Sequence, residues 1–142
     1  MSDLKRSDSR STPTTAIFKG TEIAFVSEQD AYCWMIERFL NYKPQLLTDT
    51  ASNFKHLCFG ARGATYFSQS KADIRKPHQL TNGWYVEMNL SNTQKICNLI
   101  KIANAAGLVY ETDWKWDVLN RRTKAPIDVE ALLAEIAKFA RV

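Results

Sequence analysis

The stretch from Asn82 to Val118 constrains the fold more than any other part of the chain. Asn82-Gly83 is a turn signal, because both residue types accept positive φ at little steric cost. It introduces a run in which Trp84, Val86, Met88 and Leu90 alternate with Tyr85, Glu87 and Asn89. That period of two is the mark of a strand with one buried face. Ser91 followed by Gln94 then forms a capping box, and the helix it opens places Ile96, Leu99, Ile100 and Ala103 on one face. Gly107 stands where a left-handed residue stops a helix. Beyond it, Trp114, Trp116 and Val118 share one parity and Lys115 and Asp117 the other, so this stretch ends as a strand whose tryptophans pack in the core.

Earlier in the chain, Ala16-Ile17-Phe18 and Ile23-Ala24-Phe25 flank Lys19-Gly20 and predict a hairpin. Ser27, with Asp30 three positions on, predicts the start of a helix over residues 28–42. Its Ala31, Tyr32, Met35, Ile36, Phe39 and Leu40 make a broad apolar face, and Pro44 marks its end. Residues 54–59 and 65–67 read as short strands on either side of Gly60-Ala61-Arg62-Gly63. Residues 68–81 are polar and basic, are interrupted by Pro77, and read as the longest candidate for a functional loop. Asp128 predicts the cap of a last helix with Val129, Leu132, Leu133, Ile136 and Phe139 on one face. The expected architecture is α+β: a small antiparallel or mixed sheet covered by about three helices.

A chain of 142 residues with 45% hydrophobic and 24% charged residues fits one such domain. The domain is expected to begin at residue 16. Residues 1–15 are dominated by Ser, Thr and charge, including Lys5, Arg6 and Arg10, and hold too little apolar surface to offset the entropy of ordering. They are expected to be a flexible, disordered basic tail. Cys33, Cys58 and Cys97 are odd in number and far apart, so neither a disulfide framework nor a paired metal-ligand spacing is present. They read as small buried apolar residues of a reducing compartment. No apolar run approaches the ~20 residues that cross a bilayer, and the N-terminus lacks the apolar stretch of a signal peptide. The expected location is cytoplasmic, with no membrane partner.

The constellations that carry catalysis are missing. His56 and His78 are not spaced from other ligands as metal sites require, and Gly60-Ala61-Arg62-Gly63 has neither P-loop nor dinucleotide-fold spacing. Asp113 and Asp117, near Glu111 or Glu87, read as solvated strand-face carboxylates beside Lys115. No catalytic residue, cofactor or metal is expected, and the protein reads as a non-enzyme.

Charge placement is more informative. Lys and Arg outnumber Asp and Glu by 19 to 15, for a net charge of +4. Residues 55–78 hold five bases against one acid, whereas residues 16–54 hold three bases against five acids. Tyr66, Phe67 and Tyr85 fall near Arg62, Arg75, Lys76 and His78, a pattern that suits aromatic stacking of bases with cations neutralising phosphates. Arg121, Arg122 and Lys124 add a second basic stretch. The candidate nucleic-acid-binding residues are Arg62, Tyr66, Arg75, Lys76, His78, Arg121 and Arg122. The expected function is a non-catalytic accessory or regulatory protein that binds nucleic acid through a basic, aromatic-flanked loop. The alternative is a protein-protein interaction module, such as a mobile-element-encoded inhibitor or adaptor, anchored on a host protein by an exposed aromatic patch.

Residues 80–92 (Leu-Thr-Asn-Gly-Trp-Tyr-Val-Glu-Met-Asn-Leu-Ser-Asn), Ala105-Ala106-Gly107 and Asp113-Trp114-Lys115-Trp116-Asp117 together resemble a pattern in small uncharacterised bacterial, prophage and plasmid proteins. The resemblance covers roughly the second half of the domain. It implies a mobile-element or accessory-gene setting and attaches no activity or binding residue to the pattern.

Overall fold

The hairpin forms as its turn residues dictate. Strands β1 (Thr14–Phe18) and β2 (Thr21–Phe25) pair antiparallel around Lys19 and Gly20, at φ 49° and 86°. Two successive positive φ angles match the right-handed twist of the flanking strands. The computed structural model describes residues 13–46 and 65–140. Most of the expected tail, the expected strand at 54–59 and the turn carrying Arg62 lie outside the described residues. Two residues assigned to the tail, Thr14 and Thr15, belong to β1. The Thr14 hydroxyl and the Thr15 N–H both donate to the Asp117 carboxylate, at 3.0 and 2.7 Å. An anchor a hundred residues away leaves no trace in local composition.

Helix α1 (Glu28–Tyr42) starts at Ser27, whose Oγ accepts the Asp30 N–H at 3.2 Å. The chain continues through β3 (Phe67–Ser68), a 3-10 turn (Lys71–Asp73), β4 (Pro77–Gln79) and β5 (Tyr85–Glu87). Helix α2 (Asn92–Ala106), β6 (Trp114–Trp116) and α3 (Val129–Ala140) complete the order. The α+β class and the three helices are as expected, and all strand pairs within the sheets are antiparallel. The expected single sheet is two sheets of three strands, ordered β2-β1-β6 and β3-β5-β4. Strand β5 pairs with its near neighbours in the chain, and α2 then carries β6 across to β1. The strand expected over residues 84–90 shortens to three residues. The Met88 N–H donates to Lys76 and the Leu90 N–H folds back onto the Met88 carbonyl, so the chain leaves the sheet toward α2.

Helix α2 is the best-terminated element. Ser91 and Gln94 exchange both bonds of the capping box. At the other end Gly107 sits at φ 79°, and the Leu108 N–H reaches the Ala103 carbonyl at 2.8 Å. The helix packs against α1, and the buried Asn98 amide donates to the Tyr32 hydroxyl at 3.1 Å. Full burial pushes that hydroxyl's pKa up. On the first sheet, Ala16 opposes Trp116 and Phe18 opposes Trp114, so the small Ala16 leaves room for the indole beside it. Both tryptophans are fully buried, and the rings of Phe39 and Tyr110 meet Trp114 edge-on at 5.2 and 4.7 Å. The outer edge of β6 is closed by a side chain: the Tyr110 hydroxyl accepts the Trp116 N–H and donates to the Trp116 carbonyl. A blocked edge cannot template pairing with another chain.

Gly107→Ala tests the helix stop. A Cβ built there meets nothing within 4 Å, so the penalty is that of the left-handed backbone alone. The variant is expected to lose about 1 kcal/mol in urea denaturation with an unchanged slope.

Candidate nucleic-acid interface

The basic stretch at residues 75–76 is fixed by a buried acid. Glu87 faces inward at 7% exposure, against the solvent-facing position that alternation gave it. Its carboxylate accepts the N–H of Arg75 at 3.0 Å, of Lys76 at 3.2 Å and of Asn89 at 2.8 Å. Three backbone donors satisfy a charge that burial would otherwise penalise. Residues 68–81 are therefore not a free loop. Ser68 donates to the Asp73 carboxylate at 2.7 Å, Pro77 lies in an edge strand where its missing N–H is harmless, and Glu37 on α1 accepts from both the N–H and the hydroxyl of Thr81. Arg75 and Lys76 are held by their backbone and carry exposed side chains.

The second basic stretch is equally constrained. Leu119 and Pro126 bridge the base of a small hairpin, and Asn120 Oδ1 accepts the N–H groups of Arg122 and Thr123 at its tip. That tip meets the N-terminus of α2: residues 91–93 and 120–123 face one another across a hollow of about 460 Å³. Asn92 ties the walls together, its Nδ2 donating to the Leu119 carbonyl at 2.9 Å. The first turn of α2 carries no acidic residue, so the positive end of the helix dipole is not neutralised from within.

Both stretches are connected to the chain at the start of α2. The Lys76 carbonyl accepts the Met88 N–H at 2.9 Å, and Ser91 follows Met88 by three residues. The chain can separate those two Cα atoms by roughly 11 Å at most. Residues 121–122 thus face the start of α2 directly, while Lys76 is tied to it through Met88, in the segment that leads into the helix. Lys95, one turn further on, is buried there. Burial pulls its ammonium pKa down, Glu28 opposes the shift, and Arg121 adds to it. Among the described residues none of the four exposed bases has a carboxylate at ion-pair distance, and the ion pair found there is Lys19 with Asp113 at 3.1 Å.

The aromatic part of the expected site is not assembled. Tyr66 is 8% exposed and Phe67 1%, because both belong to the core, and Tyr85 is half-buried. A buried ring offers no face for stacking a base. His78 is exposed on β4 opposite Val86, on a strand running away from α2. Arg62 and His56 lie outside the described residues. Asp113 and Asp117 are not simply solvated. Hydrogen bonds from the Val109 N–H and from Lys19 hold the Asp113 carboxyl below its usual pKa, and Asp117 anchors β1.

Ser91, Asn92, Thr93 and Lys95 were not singled out as site residues from sequence. The available signal was a helix start without an acid, followed by a lysine. A larger hollow, about 530 Å³, runs beside β6 and is lined by Glu111, Asp117, Asp128 and Glu130 with Lys115. Its acidic lining disfavours a polyanion. Among the described residues no three His, Cys, Asp or Glu side chains are grouped to hold a metal, and no helix is long and apolar enough to cross a membrane. The Cys33 thiol, half-buried and 3.6 Å from the Met88 sulfur, is pushed up to about 12 by burial, which makes it a poor nucleophile.

No protein-family model matches the chain, and neither a curated protein nor a solved structure matches it. The fold and the site stand on their own geometry: a helix pair carrying two small antiparallel sheets, with a cationic end at the start of α2.

Glu87→Gln tests the clamp. An amide offers one acceptor oxygen and turns a donor toward backbone N–H groups, so a loss of about 1–3 kcal/mol is expected. Amide hydrogen exchange should speed up at Arg75, Lys76 and Asn89 before it does so in the core of α2.

Proposed function

We propose that this protein binds nucleic acid without catalysis, through the phosphate backbone, at the cationic end of α2. The observation that carries the reading is a basic turn, 121–122, that faces a helix N-terminus holding no acid, with a second fixed basic segment, 75–76, bonded to the residues that lead into that helix. Helix N-termini and arginine forks both suit phosphate oxygens. With Tyr66 and Phe67 buried, the contacts are mainly electrostatic, and the expected binding is weak, salt-sensitive and largely indifferent to sequence. In this reading the chain is a cytoplasmic accessory or regulatory protein, Arg75, Lys76, Arg121 and Arg122 are its phosphate contacts, and His78 stands at the margin.

Fluorescence anisotropy with a labelled oligonucleotide across a salt series tests the proposal. Affinity should fall linearly on a log–log plot. Replacing Arg121 and Arg122 together by Ala should lower the magnitude of the slope by about 1.4–1.8, the share of two phosphate contacts. Replacing Arg75 and Lys76 should do the same. Absence of binding at low salt, or a slope untouched by either pair, would refute the interface.

A further inference from the structure

The hollow at the start of α2 asks for more than a phosphate. Asn92 is 3% exposed, and its Nδ2 bond to the Leu119 carbonyl fixes the amide's orientation, since the reverse assignment would set two acceptor oxygens against each other. Its Oδ1 is therefore a buried acceptor, and among the described residues nothing donates to it. An orphaned acceptor destabilises the free protein until a donor arrives. Ionised phosphodiester oxygens only accept, so they cannot supply the missing bond. A ribose can, because its 2′-hydroxyl donates as well as accepts and lies beside the 3′-phosphate; DNA has no hydroxyl there.

We propose that residues 91–93 and 120–123 form a ribonucleotide site, in which the first-turn amides of α2 with Arg121 and Arg122 hold a phosphate and Asn92 Oδ1 accepts the adjoining 2′-hydroxyl. The donor set on the walls fits this division of labour. The Gln94 N–H is taken by Ser91 Oγ and the Lys95 N–H by the Ser91 carbonyl, and the amides of Asn92 and Thr93 precede them at the helix start. The hollow's volume of about 460 Å³ lies within the roughly 300–1,000 Å³ of small-ligand sites. Oδ1 lies beneath the surface of the hollow. Asn92 lines the hollow while its Oδ1 is closed off from solvent, so a hydroxyl reaches it only as the walls adjust locally. The site rests on the nucleic-acid reading above and narrows it to RNA.

The test uses the full chain and three labelled single strands of one sequence and length: RNA, DNA and 2′-O-methyl RNA, each titrated by anisotropy at two salt concentrations. One added hydrogen bond corresponds to roughly a tenfold preference for RNA over DNA. That ratio should persist as salt rises, because the hydroxyl is uncharged, and 2′-O-methyl RNA should fall to the DNA level. Asn92→Ala should bring the RNA-to-DNA affinity ratio to one, whatever the loss of its bond to Leu119 does to the absolute affinities, with circular dichroism to confirm its fold. If that variant does not fold, the three wild-type titrations decide. Equal, salt-sensitive affinity for RNA and DNA overturns the ribonucleotide site and leaves the nucleic-acid reading standing. Retention of the RNA level by 2′-O-methyl RNA overturns it too. No binding of any strand overturns both.

Discussion

Both small sheets send side chains into one core with the packed pair of α1 and α2. Each has three strands of two to five residues, and sheets of that size gain stability only by packing against something larger. The helix pair supplies that surface. Nine of the fifteen residues of α2 are buried, including Asn92, Lys95 and Asn98, so this helix is enclosed rather than laid on one side of a sheet. Its enclosure fixes its axis, and with it the direction in which the helix dipole points.

The cationic end follows from that placement. Strand β5 delivers the chain to Ser91 through a tight fold at residues 88–90, while β6 leads through Val118 to the hairpin whose tip faces Ser91. The two sheets therefore bring their outgoing segments to the same end of the same helix. On the first sheet the arrangement is locked by a relay in which the Trp116 indole donates to Thr14 and Thr14 donates to Asp117. The buried Trp116 indole finds the partner for its N–H in the residue that also anchors the first strand.

Features written in adjacent residues were legible in the sequence: Ser27, Ser91 and Asp128 as caps, Gly107 as a stop, and the shared face of Trp114 and Trp116. Features set by distant partners were not. Alternation placed Glu87 toward solvent because the pattern records apolarity, and nothing nearby announces that the N–H groups of Arg75 and Lys76 will close over a carboxylate twelve and eleven residues on. Pro77 read as a break, whereas an edge strand tolerates it. Tyr66 read as a surface ring because bases surround it in sequence. In space its carbonyl accepts the Glu87 N–H and its ring joins the core. The candidate site was half visible for the same reason: Arg75, Lys76, Arg121 and Arg122 stood out by composition, but the way each pair is tied to the start of α2 depends on two sheets that periodicity merged into one.

Net charge understates the field at that end of the molecule. A charge of +4 over 142 residues is a mild bias, yet Glu87 and Glu28, which bond or couple to residues beside and within the first turns of α2, are turned inward. Glu87 is enclosed by backbone N–H groups, and Glu28 is buried where it offsets the desolvation of Lys95. Neither is exposed to neutralise the bases above it, while Arg75, Lys76, Arg121 and Arg122 remain in water. Burying carboxylates against backbone donors separates the two signs of charge without altering the total. A chain of modest net charge can thereby present a cationic surface at the site where a polyanion would dock.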